Sequence, residues 1–515
     1  MKQAKVKTGI GIGKGRAKAK TKTGLIKHFL CLYLYLCLYL FFCVVGCTVG
    51  PDFVRPNPPQ VKSYTRGTDP AATISADGKT QLFEQGGSVD ADWWRLFNSS
   101  KLDAVIKDAI AGNPTLQAAQ ASLRQSQDNL RAGYGVFYPQ LNAGFDATRQ
   151  KSLLANLGGR RVFSIFNLFT LQGTVSYALD VFGGERRAVE SLGAQVDFQR
   201  YEVKGTYLAL SGNIVNTIIA QAAYREQIKA AEQIISIDRE QVGISEAQWE
   251  AGTVPFSNVL SLRSQLAADE ATLPPLRQKL SQTEDLLATL TGHTPAEYVQ
   301  PQVDWADLTL PVKLPLTLTS ELVHQRPDIL AAEAQLHSAG AEIGVATAAL
   351  FPSFTLSGAY GVSNTSFSDL FKNSSIWSLG SGVATPLFHG GTLWYNRQAA
   401  IEGYNQSLAN YRQTVLSAFA QVADTLRALE HDAETLQAQS QALSTSEEAL
   451  RLVKANYQAG TANYLQVLLA DDQYHQARIG YLGASAQRFQ DTVALFVALG
   501  GGWWNDAELS NLTKQ

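Results

Sequence analysis

The chain holds 515 residues with 43 Lys and Arg against 45 Asp and Glu, a length that allows several domains and a charge balance that excludes little. The distribution excludes more: residues 1–46 carry nine Lys/Arg and no acid, so the remainder has a net charge of −11 with His neutral, and binding to nucleic acid or another polyanion is disfavoured. All four cysteines, Cys31, Cys37, Cys43 and Cys47, fall inside or at the edge of this segment; a chain exported from Cys47 onward therefore has no internal disulfide, no Cys-ligated zinc and no Cys-x-x-Cys redox centre.

In chain order, the first element is the basic tract followed by an apolar Tyr/Leu-rich run from Phe29 to Val45, the n-region and h-region of a secretory signal. The other reading of this run is a transmembrane helix, for which 17 apolar residues is at the short limit. Val44-Val45-Gly46-Cys47 resembles a bacterial lipobox, in which small or apolar residues precede a cysteine that becomes acylated. Each buried methylene of such a lipid contributes about 0.8 kcal/mol of membrane affinity. Thr48, not Asp, follows the cysteine, which by resemblance to lipoproteins generally favours the outer membrane. Residues 1–46 thus read as a lipoprotein signal peptide, with a covalent lipid on Cys47 and no other cofactor or metal.

An internal repeat organises the rest. Asn113-Pro114-x-Leu116-x-Ala118-Ala119 recurs as Arg326-Pro327-x-Ile329-x-Ala331-Ala332, and a second proline follows 25 residues after each, at Pro139 and Pro352. Phe182-Gly183-Gly184 recurs as Phe388-His389-Gly390-Gly391, and Trp249-x-Ala251-Gly252-Thr253 as Tyr457-x-Ala459-Gly460-Thr461. The two halves run from 100 to 292 and from 320 to 502, joined by a linker at 292–320 and followed by a tail at 503–515.

Each half reads helix, strand, strand, very long helix, helix. Residues 115–136 and 328–350 are rich in Ala, Leu and Gln, good helix formers. Strict alternation then predicts strands at about 139–149 and 169–181 in the first half and 352–363 and 375–386 in the second, about the length that crosses a bilayer at a tilt. The intervening stretches 150–168 and 364–375 carry Asn, Ser, Gly and Lys and read as external loops. No proline occurs from Glu185 to Glu250 or from Thr392 to Gln458, so each predicts a helix of roughly 100 Å, which needs neighbours of similar length to bury its apolar positions.

Beyond the leader no apolar run reaches a helical span, so a chain that crosses the membrane does so with strands. Lipid does not tolerate unpaired strand edges. Four strands are too few to close a barrel; two copies supply eight and three supply twelve. The competing reading is a soluble four-stranded sheet packed on helices.

Cys47-Thr-Val-Gly-Pro-Asp-Phe-Val-Arg-Pro56, Trp93-Trp94-Arg-Leu-Phe97 running into Leu102, Asn113-Pro114, and the twin Ala-Gly-Thr turns with Asn463-Tyr464-Leu465 together resemble the outer-membrane factor family, the TolC-like efflux lipoproteins, over residues 47 to about 504. The resemblance implies a mainly α protein with a membrane β-barrel: a homotrimer whose twelve-stranded barrel continues into a twelve-helix periplasmic α-barrel. Residues 47–100, 292–320 and the tail would form an equatorial girdle. It also implies an outer-membrane exit duct of a tripartite pump, partnered by a periplasmic adaptor and an inner-membrane transporter. Gly252, Thr253, Gly460, Thr461 and Tyr464 would form the hairpin tips and the adaptor contact. At the periplasmic constriction the family places a leucine, matched by Leu465, and an aspartate four residues on, where this chain has Leu469. Asp471 and Asp472 follow, so the expected gate is Leu465 and Leu469 with either aspartate setting cation preference nearby. Asn258 stands in the first repeat where relatives often carry aspartate. Trp377 and Phe371 fit an interfacial aromatic belt.

Catalysis has little support. The seven histidines show no metal-binding spacing, and neither a nucleophile elbow nor a Walker loop occurs. The alternatives to an efflux duct are a lipid-anchored coiled-coil scaffold without a pore and the outer-membrane duct of a type I secretion system.

Overall fold

The computed structural model describes residues 48–157, 160–372 and 374–505. Cys47, the leader and the tail beyond residue 505 lie outside the described residues. In chain order the elements are β1 (Leu82–Gln85), α1 (Ser100–Gly112), α2 (Pro114–Gly133), β2 (Gln140–Leu157), β3 (Arg160–Leu179), α3 (Gly184–Glu250), α4 (Phe256–Leu290), β4 (Lys313–Leu316), α5 (Thr319–Gln325), α6 (Pro327–Ala348), β5 (Ser353–Asn364), β6 (Ser375–Ala384), α7 (Thr392–Gln458) and α8 (Tyr464–Ala498). The duplication survives in the lengths: α3 and α7 each have 67 residues, α4 and α8 each have 35. Each half also opens with a helix that the sequence pattern did not announce, α1 and α5. Both stop before a proline, at Asn113-Pro114 and Arg326-Pro327, because the residue ahead of proline is pushed into extended backbone; Asn113 has ψ of 120° and Arg326 of 126°.

The chain divides into two compact units, and each draws on both repeats. Among the described residues, the first comprises 48–52, 133–190 and 340–401, and the second comprises 53–132, 191–339 and 402–505.

The first unit is built on an antiparallel sheet in the order β2-β3-β5-β6. Its register sorts the side chains by chemistry. Leu141 pairs with Val175, Phe145 with Leu171, Tyr177 with Leu356 and Tyr360 with Trp377, so these side chains share one face. The opposite face carries Asn142 with Thr174, Gly144 with Gln172, Ser176 with Ser357 and Ser357 with Gly380. Ile376 breaks that polar pattern. On the polar face the Thr170 and Ser363 hydroxyls lie 3.0 Å apart in a hydrogen bond. Leu141, Phe145, Val175, Leu356, Tyr360 and Trp377 are exposed, so the apolar face has no cover at these positions among the described residues.

One expectation fails here. Residues 150–168 are not a loop: β2 continues to Leu157 and β3 begins at Arg160, with a register shift between Leu153 and Ala155. The polar run Arg149-Gln150-Lys151-Ser152 hides the strand because a two-stranded ladder needs only backbone hydrogen bonds. Alternation marks a strand only where one face is apolar. The stretch between β5 and β6 does turn, through a short helical turn at Phe367–Asp369.

The second unit buries its core where the linker segments meet the helices. Trp93, 1% exposed, stacks on Phe496 of α8 at 5.3 Å between ring centroids, and its edge meets Trp94 and Phe97. Phe97, Leu102, Ile106, Ile214, Ile218, Leu287 and Leu426 continue the cluster. β1 pairs in parallel with β4, which ties the segment before α1 to the linker between the repeats. The Trp503 indole donates to the Gln325 carbonyl at 2.8 Å, so the two tryptophan doublets fasten opposite ends of the chain within this unit.

Candidate channel gate and hairpin tips

Two helical hairpins, α3–α4 and α7–α8, reverse through near-identical turns. Gly252 has φ of +74° and Gly460 of +73°, conformations that glycine adopts without a Cβ clash. The amide of Thr253 donates to the Gln248 carbonyl at 2.9 Å and that of Gly252 to Trp249 at 2.8 Å; Thr461 to Asn456 and Gly460 to Tyr457 repeat the pattern at 2.9 and 3.0 Å. This pair of bonds is the Schellman closure of a helix C-terminus. The hydroxyls of Thr253 and Thr461 donate to the same Gln248 and Asn456 carbonyls at 2.8 and 3.0 Å. Both threonines thus cap the helix they follow. Asn463 then starts α8 with a reciprocal capping box: its side chain accepts from the Gln466 amide at 3.0 Å, and Gln466 accepts from the Asn463 amide at 3.1 Å.

The hairpins are also tied to each other. The Tyr464 hydroxyl donates to Oε1 of Gln241 on α3 at 2.5 Å, and the Gln248 amide donates to the Tyr457 hydroxyl at 3.4 Å. Tyr457 and Tyr464 pack with ring centroids 5.5 Å apart, and Trp249 and Phe256 do so at 4.9 Å.

Along α8 the expected gate residues separate. Leu465 and Leu469, one turn apart, are 59% and 56% exposed. Asp472 lies two turns from Leu465 on that same helical face, where Nε2 of Gln476 donates to it at 3.0 Å. Asp471 points elsewhere. It is 3% exposed and pairs with His475 Nε2 at 2.8 Å and Lys454 Nζ at 3.2 Å. Of the two aspartates expected near the leucines, Asp471 is turned away: helical geometry puts it about 120° from Leu465 and about 160° from Leu469 around α8, in a buried ion-paired cluster. Burial alone would raise its carboxyl, but the bonds to His475 and Lys454 outweigh that and hold it below the usual range.

A further acid faces this cluster. Asp238 on α3 is 4% exposed; burial first, then the neighbouring Asp269 carboxylate of α4, then Asp471 and Asp472 push it up to about 8. The i,i+4 spacing of Asp471 and His475 was a signal the sequence offered. Asp238 and Gln241 gave none, since Asp269 lies on the next helix and Asp471 and Tyr464 lie on the other repeat. Among the described residues no group of His, Cys, Asp and Glu is arranged to hold a metal, and no helix is long and apolar enough to cross a membrane.

The uncovered apolar sheet face and the paired hairpins match a known family over most of the chain: the outer membrane efflux protein model matches residues 105–293 and 318–501. The chain belongs to the outer membrane efflux protein family. Among its relatives is the pyoverdine export outer membrane protein OpmQ of Pseudomonas putida (strain KT2440), 32% identical over 81% of this chain and 89% of its own length. Another is the cation efflux system protein CusC of Escherichia coli (strain K12), 28% identical over 89% of this chain and 97% of its own. The solved structure of the outer-membrane channel OprN superposes with a TM-score of 0.79 and 26% identity, covering 89% of this chain and all of that one. The family places the protein in the outer membrane as an efflux channel component, as the sequence resemblance implied, and it is a channel family, not an enzyme family.

Proposed function

We propose that this efflux protein is the lipid-anchored protomer of a homotrimeric exit duct in a tripartite pump, joined to a periplasmic adaptor and an inner-membrane transporter. The observation that carries the reading is the four-stranded sheet. One face is apolar and uncovered, the other is lined by Ser, Thr, Asn and Gln with Asp146 among them, and β2 and β6 end the sheet at its two edges. Three copies joined edge to edge satisfy both edges with twelve strands, put the apolar faces to lipid and leave the polar faces around a water-filled lumen. The relatives' roles in pyoverdine export and cation efflux support export through that lumen.

The lipid anchor is supported by the segment just after Cys47. The Val49 amide donates to the Phe182 carbonyl at 3.0 Å, and Arg187, nearly buried, donates to Asp52 Oδ1 at 2.6 Å and to the Val49 carbonyl at 3.3 Å. This seat lies where β3 passes into α3, so acyl chains on Cys47 would enter the leaflet on the helix side of the sheet.

For the gate, Leu465 and Leu469 from three protomers form an apolar constriction, with Asp472 on the same face giving preference to cations. Tyr464 and Gln241 act as a latch between the two hairpins, and the Gly252-Thr253 and Gly460-Thr461 turns present the surface for the adaptor. Purified protein in planar bilayers is expected to give discrete conductance steps, with Leu469→Ser raising the current of the closed state. A flat trace from the wild type would leave the pore-free scaffold as the reading; an unchanged trace from Leu469→Ser would remove that leucine from the constriction. Tyr464→Phe deletes the hydroxyl donated to Gln241 and is expected to weaken the latch by about 1 kcal/mol, seen as more frequent opening in the same recordings.

A further inference from the structure

The β2–β3 hairpin outruns the sheet. β5 reaches only the pair Phe169 with Asn364, whereas β2 and β3 stay paired to Leu157 and Arg160. Along β2 the apolar row Leu141, Ala143, Phe145, Ala147 ends, on that same face, in Arg149 and Lys151, which pair with Asn167 and Ile165. Both basic side chains are exposed, and among the described residues neither has a carboxylate partner. Lys151 Nζ lies over the Phe163 ring, 4.9 Å from its centroid, a cation–π contact that leaves the ammonium beside an apolar side chain on this face. From Ala147 to Leu179 the sequence has Arg149, Lys151, Arg160 and Arg161 and no acid, within a chain that is otherwise net negative beyond its leader. The corresponding turn of the second repeat is neutralised, Lys372 pairing with Asp369 at 2.9 Å.

The height of these charges follows from strand geometry. Ten residues separate Leu141 from Lys151; at a rise of about 3.4 Å and a tilt of about 40° this is roughly 26 Å along the membrane normal, the height of the apolar band of a membrane barrel. The four helices that flank these strands in sequence, α2, α3, α6 and α7, all enter or leave the sheet at its Leu141 end, so, granting the duct orientation proposed above, Arg149 and Lys151 stand at the outer boundary of the membrane. Phosphate is the anion that arginine and lysine take there, arginine through two parallel N–H···O bonds.

We propose that this face of the β2–β3 hairpin binds the phosphorylated glycolipid of the outer leaflet, Arg149 and Lys151 each holding a phosphate and Phe163 and Ile165 lying against its acyl chains. The test uses the full mature protein in detergent, with bis-phosphorylated lipid A and the same lipid with its phosphates removed as probes, read by native mass spectrometry. Wild-type protein is expected to retain the phosphorylated probe, to lose it as salt is raised, and to hold the dephosphorylated probe at least tenfold more weakly. The double variant R149Q/K151Q is expected to weaken retention of the phosphorylated probe about fivefold per charge removed while its bilayer conductance stays that of the wild type. Equal retention of the two probes by the wild type, a comparison that involves no variant, or equal retention of the phosphorylated probe by wild type and variant, overturns the proposal. Loss of conductance in the wild type would instead count against the duct itself.

Discussion

Arg488→Ala is expected to cost about 3–5 kcal/mol of stability, from the cavity left by a large buried side chain together with its lost charge-assisted hydrogen bonds. The side chain is 1% exposed and serves four acceptors: Gln81 Oε1 at 2.9 Å, Thr73 Oγ1 at 3.2 Å, and the carbonyls of Lys79 at 3.2 Å and Ala76 at 3.4 Å. It thereby fixes the turn between Thr73 and Gln81 against α8. Gln81 passes the tie onward, donating to Thr492 at 2.9 Å and to the Pro311 carbonyl at 3.1 Å. Without the guanidinium, Gln81 Oε1 loses its donor, while Thr73 Oγ1 and the Ala76 and Lys79 carbonyls keep only the bonds from the Gln81, Lys79 and Ala76 amides; an unmet buried group costs about 1–3 kcal/mol. Arg488→Met fills the space without restoring the bonds and is expected to lose nearly as much, whereas Arg488→Lys keeps the charge and is expected to lose less. Thermal unfolding of the solubilised protein, followed by circular dichroism, orders the three variants. An alanine variant within 1 kcal/mol of the wild type would show that the turn is held by other contacts.

Asp238→Asn is expected to abolish a pH dependence in the region between the hairpins. Burial and the Asp269 carboxylate raise the Asp238 carboxyl from the ordinary 3.8 to about 8, so the folded state binds a proton that the unfolded chain gives up. Its contribution is therefore complete below about pH 4, declines as pH rises, and is lost once pH passes about 8. Asp471 works in the opposite sense. Held low by His475 and Lys454, it contributes above the ordinary carboxylate range and fails only as the medium becomes strongly acidic. Near Tyr464 the slope between pH 5 and 8 thus belongs to Asp238; Asp432, raised to about 8 by burial and Asp491, and Lys204, lowered to about 7 by burial, lie elsewhere along the helices. Hydrogen exchange of α8 near Tyr464 is expected to quicken over this interval, beyond its intrinsic pH dependence, in the wild type. In Asp238→Asn, which keeps the neutral form at every pH, protection is expected to stay at its pH 5 level. A variant retaining the wild-type slope would assign the titration to another group.

Proline and glycine made much of this architecture legible before any coordinates. Pro114 and Pro327 set helix starts, Gly252 and Gly460 set the reversals, and the proline-free intervals between gave α3 and α7 almost to the residue. Pro274 and Pro275 lie inside α4, where tertiary packing carries a helix through residues that would break it in isolation. The β2–β3 hairpin was read at half its length because its outer half does not alternate: Arg149 and Lys151 interrupt the apolar row of β2, and Phe163, Ile165, Phe166 and Leu168 of β3 fall on both faces.

The sequence by itself determined the duplication, the two pairs of strands, the long helices and the family, because each leaves a local or periodic trace. Only the tertiary structure decided that Asp472 shares the leucine face while Asp471 is buried, that Asp238 confronts α8 across the repeat boundary, and that Arg488 holds a turn some 400 residues upstream. Those outcomes depend on which helix faces pack together, a choice made by the sum of many weak contacts between distant segments, and no single spacing along the chain records it.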